Sequence, residues 1–575
     1  MERNSAKGTA GNGTPESGFA DLAIRGAAIR TMDRSRPWAT AMAVKDGRIM
    51  AVGEEAEIGA VTGPPTSVID AGGAMVMPGI VDAHIHVSGG GQQMAWELAI
   101  SPAAGLDEIM AAVSAHADGI GADDWVIGGS VGSGVLQHAG TRDALAALDK
   151  AGRGRPVLLR DDSSHNRWAN SRAMELLGIS AATPDPADGR YVRDSHGHPV
   201  GVILEQASQR AEQGAREHMR DLERRDRHSA RTALSLLNSL GVTAVQDAAT
   251  MGTWLETFSA MDRAGELTMW LVASMPNIHY MVTGAVFPEL ADQASAKATE
   301  HVRPTFAKFL LDGVPMTRTS AFLHPYKADP QAAASGSPGH DPGFRGTPYY
   351  THASLMEVFE QAVARGMHVK AHATADLTAR QVLDCVEEIR KRHGHGTIFH
   401  IAHSEFIDRD DIPRFRDLGV VADASPVLWL PHLMNQIIAQ QVQEHYMERI
   451  WPLRELHQAG ALIAAGSDWP SGSPMPDPWL SIEAMITRRN PDPAYPGTLA
   501  ADQALDLTTA LEAHTVNAAQ AIGLSQETGQ LRAGLSADFI MLDRNLYRIP
   551  AEQIHNTRIQ QTWFAGRLVH EAEPA

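Results

Sequence analysis

The chain has 575 residues and a formal net charge of −19, a balance that argues against a nucleic-acid or anionic-membrane partner. Its composition, 43% hydrophobic with 51 glycines and 32 prolines, suits a loop-rich globular enzyme and excludes a fibrous or low-complexity chain. The single cysteine, Cys385, can form no intrachain disulfide and is read as a packing residue.

Residues 1–19 are rich in Gly, Ser, Thr, Asn and Glu, have little to bury, and read as a disordered tail. No stretch approaches the roughly 20 apolar residues of a membrane span, and the start lacks the apolar core of a secretory signal, so the cytoplasm is the expected location. Short β-type runs follow at 22–29, 39–44, 49–52 and 67–70, with Asp46-Gly47 marking a hairpin. Similar material returns only at 538–543 and 561–570. A small β-sandwich built from both chain ends, 20–76 and 533–575, is the economical reading.

Between them, in 77–532, a helical pattern repeatedly precedes an apolar strand. A capping box at Ser354 and Glu357 opens a helix whose apolar face is Leu355, Val358, Phe359, Ala362 and Val363. Gly366 stops it, and the strand 367–371 delivers His372. Pro452 suits a helix first turn, Gly460 ends that helix, and the strand 461–466 leads to Asp468. Eight such strands, at 77–85, 242–247, 269–273, 306–311, 367–371, 397–402, 419–424 and 461–466, predict an α/β fold of the (β/α)8 TIM-like barrel class. Polar residues at strand C-termini are where such a barrel carries its chemistry. The span between strands one and two is too long for one crossover, so about 90–235 is expected to be an inserted subdomain, with a polar-tipped strand within 155–165 and a hairpin over 188–201.

His84 and His86, closing Met77-Pro-Gly-Ile-Val-Asp-Ala-His-Ile-His86, share one side of a strand and could bind one divalent metal, although an isolated His-x-His is more often a polar strand end. Lys308 stands among apolar neighbours in 307–313, where a charge is costly unless paired or removed. Carbon dioxide added to its amine would give a carbamate able to bridge two metals. Pairing with Asp312 or another acid is the alternative, and on the residues alone the stronger one. His372 and His403 each end a strand, His400 lies on the face opposite His403 and reads as structural, and His368 and His432 read as incidental. Asp468, in Ala464-Ala-Gly-Ser-Asp-Trp469, could hold a metal and shuttle a proton, or cap a turn as Ser467 equally could.

These signals in this order, with Thr515-Val-Asn-Ala-Ala519 and Gly529-Gln-Leu-Arg-Ala-Gly-Leu-Ser-Ala-Asp538, resemble the amidohydrolase superfamily, metal-dependent hydrolases on a (β/α)8 barrel. The resemblance runs from about Asp21 to the C-terminus and is strongest to the long-chain branch, amidohydrolase family 3 type, that includes N-substituted formamide deformylases. It implies that His84, His86 and Asp468 hold one metal and His372 and His403 a second, with Lys308 bridging as the carbamate. Zinc is the first expectation, with manganese, iron and cobalt compatible with the same ligands and one or two ions open. It implies hydrolysis of an amide-type C–N bond in a small molecule, with Asp468 taking a proton from the attacking water and passing it to the leaving nitrogen. The stretch from His165 to Ser171 is similar to the branch's His-x-x-Trp-x-Asn-Ser pattern, which implies His165 over the barrel mouth as a substrate residue, a purely structural role within the insert being the alternative. Trp429, in the loop 425–432, is expected as either an apolar wall for substrate or a core anchor.

Three stretches depart from the branch pattern. Ala373-Thr-Ala-Asp376 replaces Ala-Ile-Gly-Asp, Ser425 stands where a glutamine usually precedes the proline, and Gly-Trp-Asp is missing around 128–134. A single-metal deaminase of a heterocycle is one alternative, weakened because Ala375 stands where its glutamate would. A barrel without catalysis, acting as scaffold or regulator, is the other. Expected partners are a small-molecule substrate and, as an open option, a second copy of the chain.

Overall fold

In the computed structural model the described residues are 18–101, 103–161, 166–186, 189–278, 285–328, 343–471 and 475–573. The stretch expected to be a tail lies, up to residue 17, outside them. The centre is a parallel eight-stranded sheet: β1 (Ile80–Ile85), β2 (Val242–Asp247), β3 (Trp270–Pro276), β4 (Val302–Leu310), β5 (His368–Ala373), β6 (Phe399–His403), β7 (Val420–Ala424) and β8 (Leu462–Ala465), adjacent in chain order. This is the TIM-like barrel, and every expected strand is present with ends moved by a few residues. The largest correction is at β1: Met75–Pro78 is a separate strand, and Gly79 divides it from Ile80.

β1 and β8 meet without a strand ladder between them. The seam is held beyond the strands, where Asp468 N–H donates to His84 O at 2.7 Å and His86 N–H donates to Trp469 O at 2.8 Å. The Asp82 carboxylate accepts from the backbone N–H groups of Ser467 at 3.1 Å and His84 at 3.1 Å. Gly466 permits this approach, because a Cβ there would lie 2.3 Å from the His84 nitrogen. The seam therefore fixes the segments that carry His84, His86 and Asp468.

Outside the barrel, the first sheet joins Leu22–Arg25, Ala41–Lys45, Arg48–Gly53 and Ser67–Asp70. A second joins Ala28–Arg30, Trp38–Ala39, Met75–Pro78, Phe539–Leu542, Ile559–Phe564 and Arg567–Glu571. Ile24, Met42, Val44, Val76, Phe539 and Met541 form a shared apolar core between them. Asp46 and Gly47 take φ of 49° and 74°, the left-handed geometry of a two-residue hairpin turn. Between β1 and β2 lies a six-stranded sheet running from Leu98–Ala99 to Gly189–Arg193, whose antiparallel pair Gly189–Arg193 and Pro199–Glu205 occupies the expected hairpin. Arg160 and Arg167, buried there, pair with Glu97 and Glu212.

Local capping differs from expectation at one helix. His352–Ala364 begins one turn earlier than the Ser354 box predicts, because Thr351 is the N-cap and Ser354 its N3 partner. Gly366, at φ 69°, ends it as expected. Cys385 is buried in the helix Asp376–His393.

Candidate metal centre

His84, His86, Lys308, His372, His403 and Asp468 line a single cavity of about 210 Å³ at the C-terminal ends of the barrel strands. The carboxylate of Asp468 is its focus. One oxygen lies 3.6 Å from His84 Nε2 and 3.4 Å from His86 Nε2, and the other lies 3.9 Å from His403 Nε2. His372 joins through its ring, centred 5.3 Å from that of His403, and Lys308 Nζ lies 3.3 Å from His84 Nε2. His84, His403 and Asp468 form the tight metal-capable group, their ligand atoms all within 4.8 Å of one another. This trio takes members from both of the ligand sets expected for two separate ions.

The outer partners of the imidazoles decide which nitrogen faces inward. His84 Nδ1 is 3.1 Å from the Asp423 carboxylate and His403 Nδ1 is 2.8 Å from Ser425 Oγ. A proton on each Nδ1 leaves the Nε2 lone pair turned to the cavity, the arrangement that metal-binding histidines use. Ser425, a departure from the resembled pattern, thus orients a site histidine. His372 uses Nε2 outward, 3.2 Å from Gly313 O, which turns Nδ1 inward.

Electrostatics favour the same protonation states. Burial pushes His372 down to about 3 and also lowers His403; burial, with the Lys308 and Lys370 charges, holds His84 well below the imidazole range. Neutral imidazoles are what metal binding requires. Burial opposes ionisation of Asp468, but His403, His86 and His84 override it and hold the carboxyl well below the usual carboxylate range. The donor set therefore fits a divalent metal such as zinc. Asp468 occupies the left-handed region at φ 55°, which aspartate tolerates better than most residues, and its backbone N–H and C=O are both hydrogen-bonded.

Lys308 is not paired with Asp312, the acid named in the residue-level alternative. Asp312 instead accepts from Thr374 N–H at 3.0 Å and Thr378 Oγ1 at 2.8 Å. Burial first, and the Lys370 ammonium second, lower Lys308 to about 8. Beneath the site, Lys370 pairs with Asp423 and donates to Ala83 O at 2.9 Å. Burial opposes ionisation of Asp423 too, yet Lys370 and His84 keep it well below the carboxylate range. His400, expected on the opposite face, shares this group: its Nδ1 lies 3.2 Å from Lys370 Nζ and 3.4 Å from Asp423 Oδ2.

Lys370, Asp423 and Glu405 were missed in the sequence, although each is a charged residue in or beside an apolar strand, the signal that singled out Lys308. Glu405 lines the cavity, and burial with the nearby Asp312 carboxylate raises it well above the carboxylate range. Trp429 does not line the cavity. It is 1% exposed, packs edge-on against Trp451 with ring centres 5.3 Å apart, and carries Arg488 over its face. Leu428 and Trp451 supply the apolar wall instead, with Leu310, Met316, Met434 and Ile438. His165 lies outside the described residues.

The model of the amidohydrolase family matches residues 67–570. The chain belongs to the amidohydrolase family. It is thus a metal-dependent amidohydrolase, an enzyme acting on carbon–nitrogen bonds. Among curated relatives, it is 28% identical to the N-substituted formamide deformylase of Arthrobacter pascens, over 96% of this chain and 98% of that one. It is 25% identical to the putative amidohydrolase YtcJ of Bacillus subtilis, over 95% and 98% respectively. Among solved structures, an uncharacterized metal-dependent hydrolase from Pyrococcus horikoshii superposes with a TM-score of 0.72 at 22% identity, covering 92% of this chain and 99% of that one. That likeness gives the fold, an amidohydrolase barrel with its additional sheets.

Proposed function

We propose that this amidohydrolase cleaves the amide bond of a small N-acyl amine, a formamide foremost, using a zinc centre held by His84, His86, His372, His403 and Asp468 with a carbamate on Lys308. The observation that carries the reading is the Asp468 carboxylate within 3.4 to 3.9 Å of three imidazole nitrogens in a cavity that also has an apolar wall of Leu310, Leu428, Met434, Ile438 and Trp451. The metal, when bound, supplies a Lewis acid that polarises the carbonyl and acidifies a water. Asp468, held ionised, accepts a proton from that water as its oxygen bonds to the carbonyl carbon. It returns the proton to the nitrogen as the C–N bond breaks, giving a carboxylic acid and an amine. Leu428, Met434, Ile438 and Trp451 bury the rest of the substrate and keep bulk water from the carbonyl.

Lys308 supports the carbamate reading because it has no carboxylate in hydrogen-bond contact among the described residues and its lowered pKa favours the neutral amine, whose lone pair would attack carbon dioxide with loss of a proton. The formamide preference is supported by the curated relative of that activity, which aligns over nearly the whole chain. Deamination of a heterocycle is disfavoured by Ala375, a buried alanine where an acid would be needed. Among the described residues no helix is long and apolar enough to cross a membrane, and we place the enzyme in the cytoplasm.

The test is elemental analysis of purified protein beside a hydrolysis panel of formamides, N-acyl amino acids, carbamates, lactones and esters. Stoichiometric zinc with formamide or other amide cleavage is expected. A metal-free active protein, or cleavage confined to esters and lactones, would overturn the proposal.

A further inference from the structure

One wall of the cavity does not share its apolar character. Glu405 follows β6, is 6% exposed, and lines the cavity. Among the described residues no donor reaches this carboxyl, whereas every other acid around the site is partnered. Asp468 faces three histidines, Asp423 pairs with Lys370, and Asp312 accepts from Thr374 and Thr378. The backbone of Glu405 is held in place, because its C=O accepts from Trp451 N–H at 2.8 Å and the next N–H, of Phe406, donates to Thr374 O at 3.1 Å. The charged group that acts on it is another acid, Asp312, while Lys308 and the histidines line the same cavity without a hydrogen bond to it. Lys308, the cavity's lysine, is lowered first by burial and then by Lys370, with Asp468, Asp423 and Asp247 opposing them.

A buried carboxyl fixed in position, backed by a second acid and lacking a counter-charge, is a poor structural element and a good receptor for a cation. From this geometry we infer that Glu405 is a specificity residue that binds a protonated amine on the substrate, so that the enzyme's preferred substrates are N-acyl amines carrying a second, basic nitrogen. The inference rests on the amide-hydrolase reading of the same site and narrows its substrate class. The ammonium donates to the Glu405 carboxylate at one end of the cavity while the scissile carbonyl lies at the histidine-rich end. The aliphatic linker packs against the apolar wall between them.

The experiment compares N-formyl α,ω-diamines of three to six carbons with alkyl formamides of the same length, using zinc-loaded enzyme. At the best length kcat/KM for the aminoalkyl compound should exceed that of its alkyl partner by about tenfold or more, since the Glu405 carboxyl offers an ammonium a buried acceptor that an alkyl chain cannot use. Glu405→Gln, which keeps the shape, should bring the ratio to about one or below while zinc content stays at the wild-type level. Binding of the corresponding free diamines, measured by calorimetry on wild-type protein, gives a readout that needs no variant: diamines should bind and monoamines of equal length should bind more weakly. Equal kcat/KM within every pair, or a preference that survives Glu405→Gln, would overturn the role of Glu405 and leave amide hydrolysis intact. Cleavage of no member of either series would overturn both.

Discussion

Asp423→Asn isolates the layer beneath the metal ligands. In the folded protein Asp423 accepts from His84 Nδ1 at 3.1 Å and pairs with the Lys370 ammonium, all three groups being fully buried. Asparagine keeps the shape and one acceptor oxygen but removes the charge that anchors the Nδ1 proton, so the Nε2 lone pair becomes a weaker and less well-aimed ligand. Loss of such an outer partner weakens metal binding by about 10- to 100-fold, or about 1.4 to 2.7 kcal/mol. The same change strands Lys370, and an uncompensated buried charge costs about 3 to 5 kcal/mol of stability. Zinc competition with a chromophoric chelator measures the first effect, and thermal unfolding of the metal-free protein measures the second. The double variant Lys370→Met with Asp423→Leu separates them. With both charges gone, stability should recover, because apolar replacement of a buried pair is often neutral, whereas zinc affinity should stay low because His84 still lacks its acceptor. Wild-type zinc affinity in Asp423→Asn, or recovered affinity in the double variant, would refute the reasoning.

Asp468→Asn should lower kcat by about 10² to 10⁴, the usual contribution of a proton carrier, while retaining more than half of the metal; equal loss of metal and turnover would make Asp468 a ligand alone. Incubation with ¹³C-bicarbonate should give a carbamate carbon resonance that is absent from Lys308→Ala, and its absence from metal-loaded wild-type protein would remove the carbamate. In metal-free protein, Lys308 is lowered from 10.5 to about 8 by burial, so the unfolded chain binds more protons between those values and stability must rise with pH across that window. Lys308→Met should therefore unfold at a higher temperature than wild type at pH 7, by an advantage that shrinks as pH climbs from about 8 towards 10.5; a constant difference would show that the charge is not the cause. Gly466→Ala places a Cβ 2.3 Å from the His84 nitrogen and should lower both unfolding temperature and zinc affinity. An alanine variant with wild-type zinc affinity would show that the β1–β8 seam does not position the ligands.

Periodicity and punctuation made the barrel legible. Apolar runs preceded by capped helices placed all eight strands, because a strand buried on both faces and a crossover helix each leave a local mark that needs no knowledge of the partner. Asp46-Gly47 likewise determined its hairpin from two residues, since left-handed backbone suits few others. The histidines at strand ends and Asp468 after β8 were readable for the same reason: once a strand is placed, its C-terminus is known to face the mouth. Only the tertiary structure decided which groups meet. Lys308 turned from Asp312 to the histidines because Asp312 is occupied by Thr374 and Thr378, a choice set by packing of the loops that follow β4 and β5. Lys370, Asp423 and His400 lie on three different strands, and Trp451 replaces Trp429 at the cavity wall from more than 20 positions further along the chain. Pairing of this kind depends on distance through space, to which sequence separation is indifferent, so the ligand types belong to the sequence while their partners, their protonation and the place of the Glu405 carboxyl on the cavity wall belong to the fold.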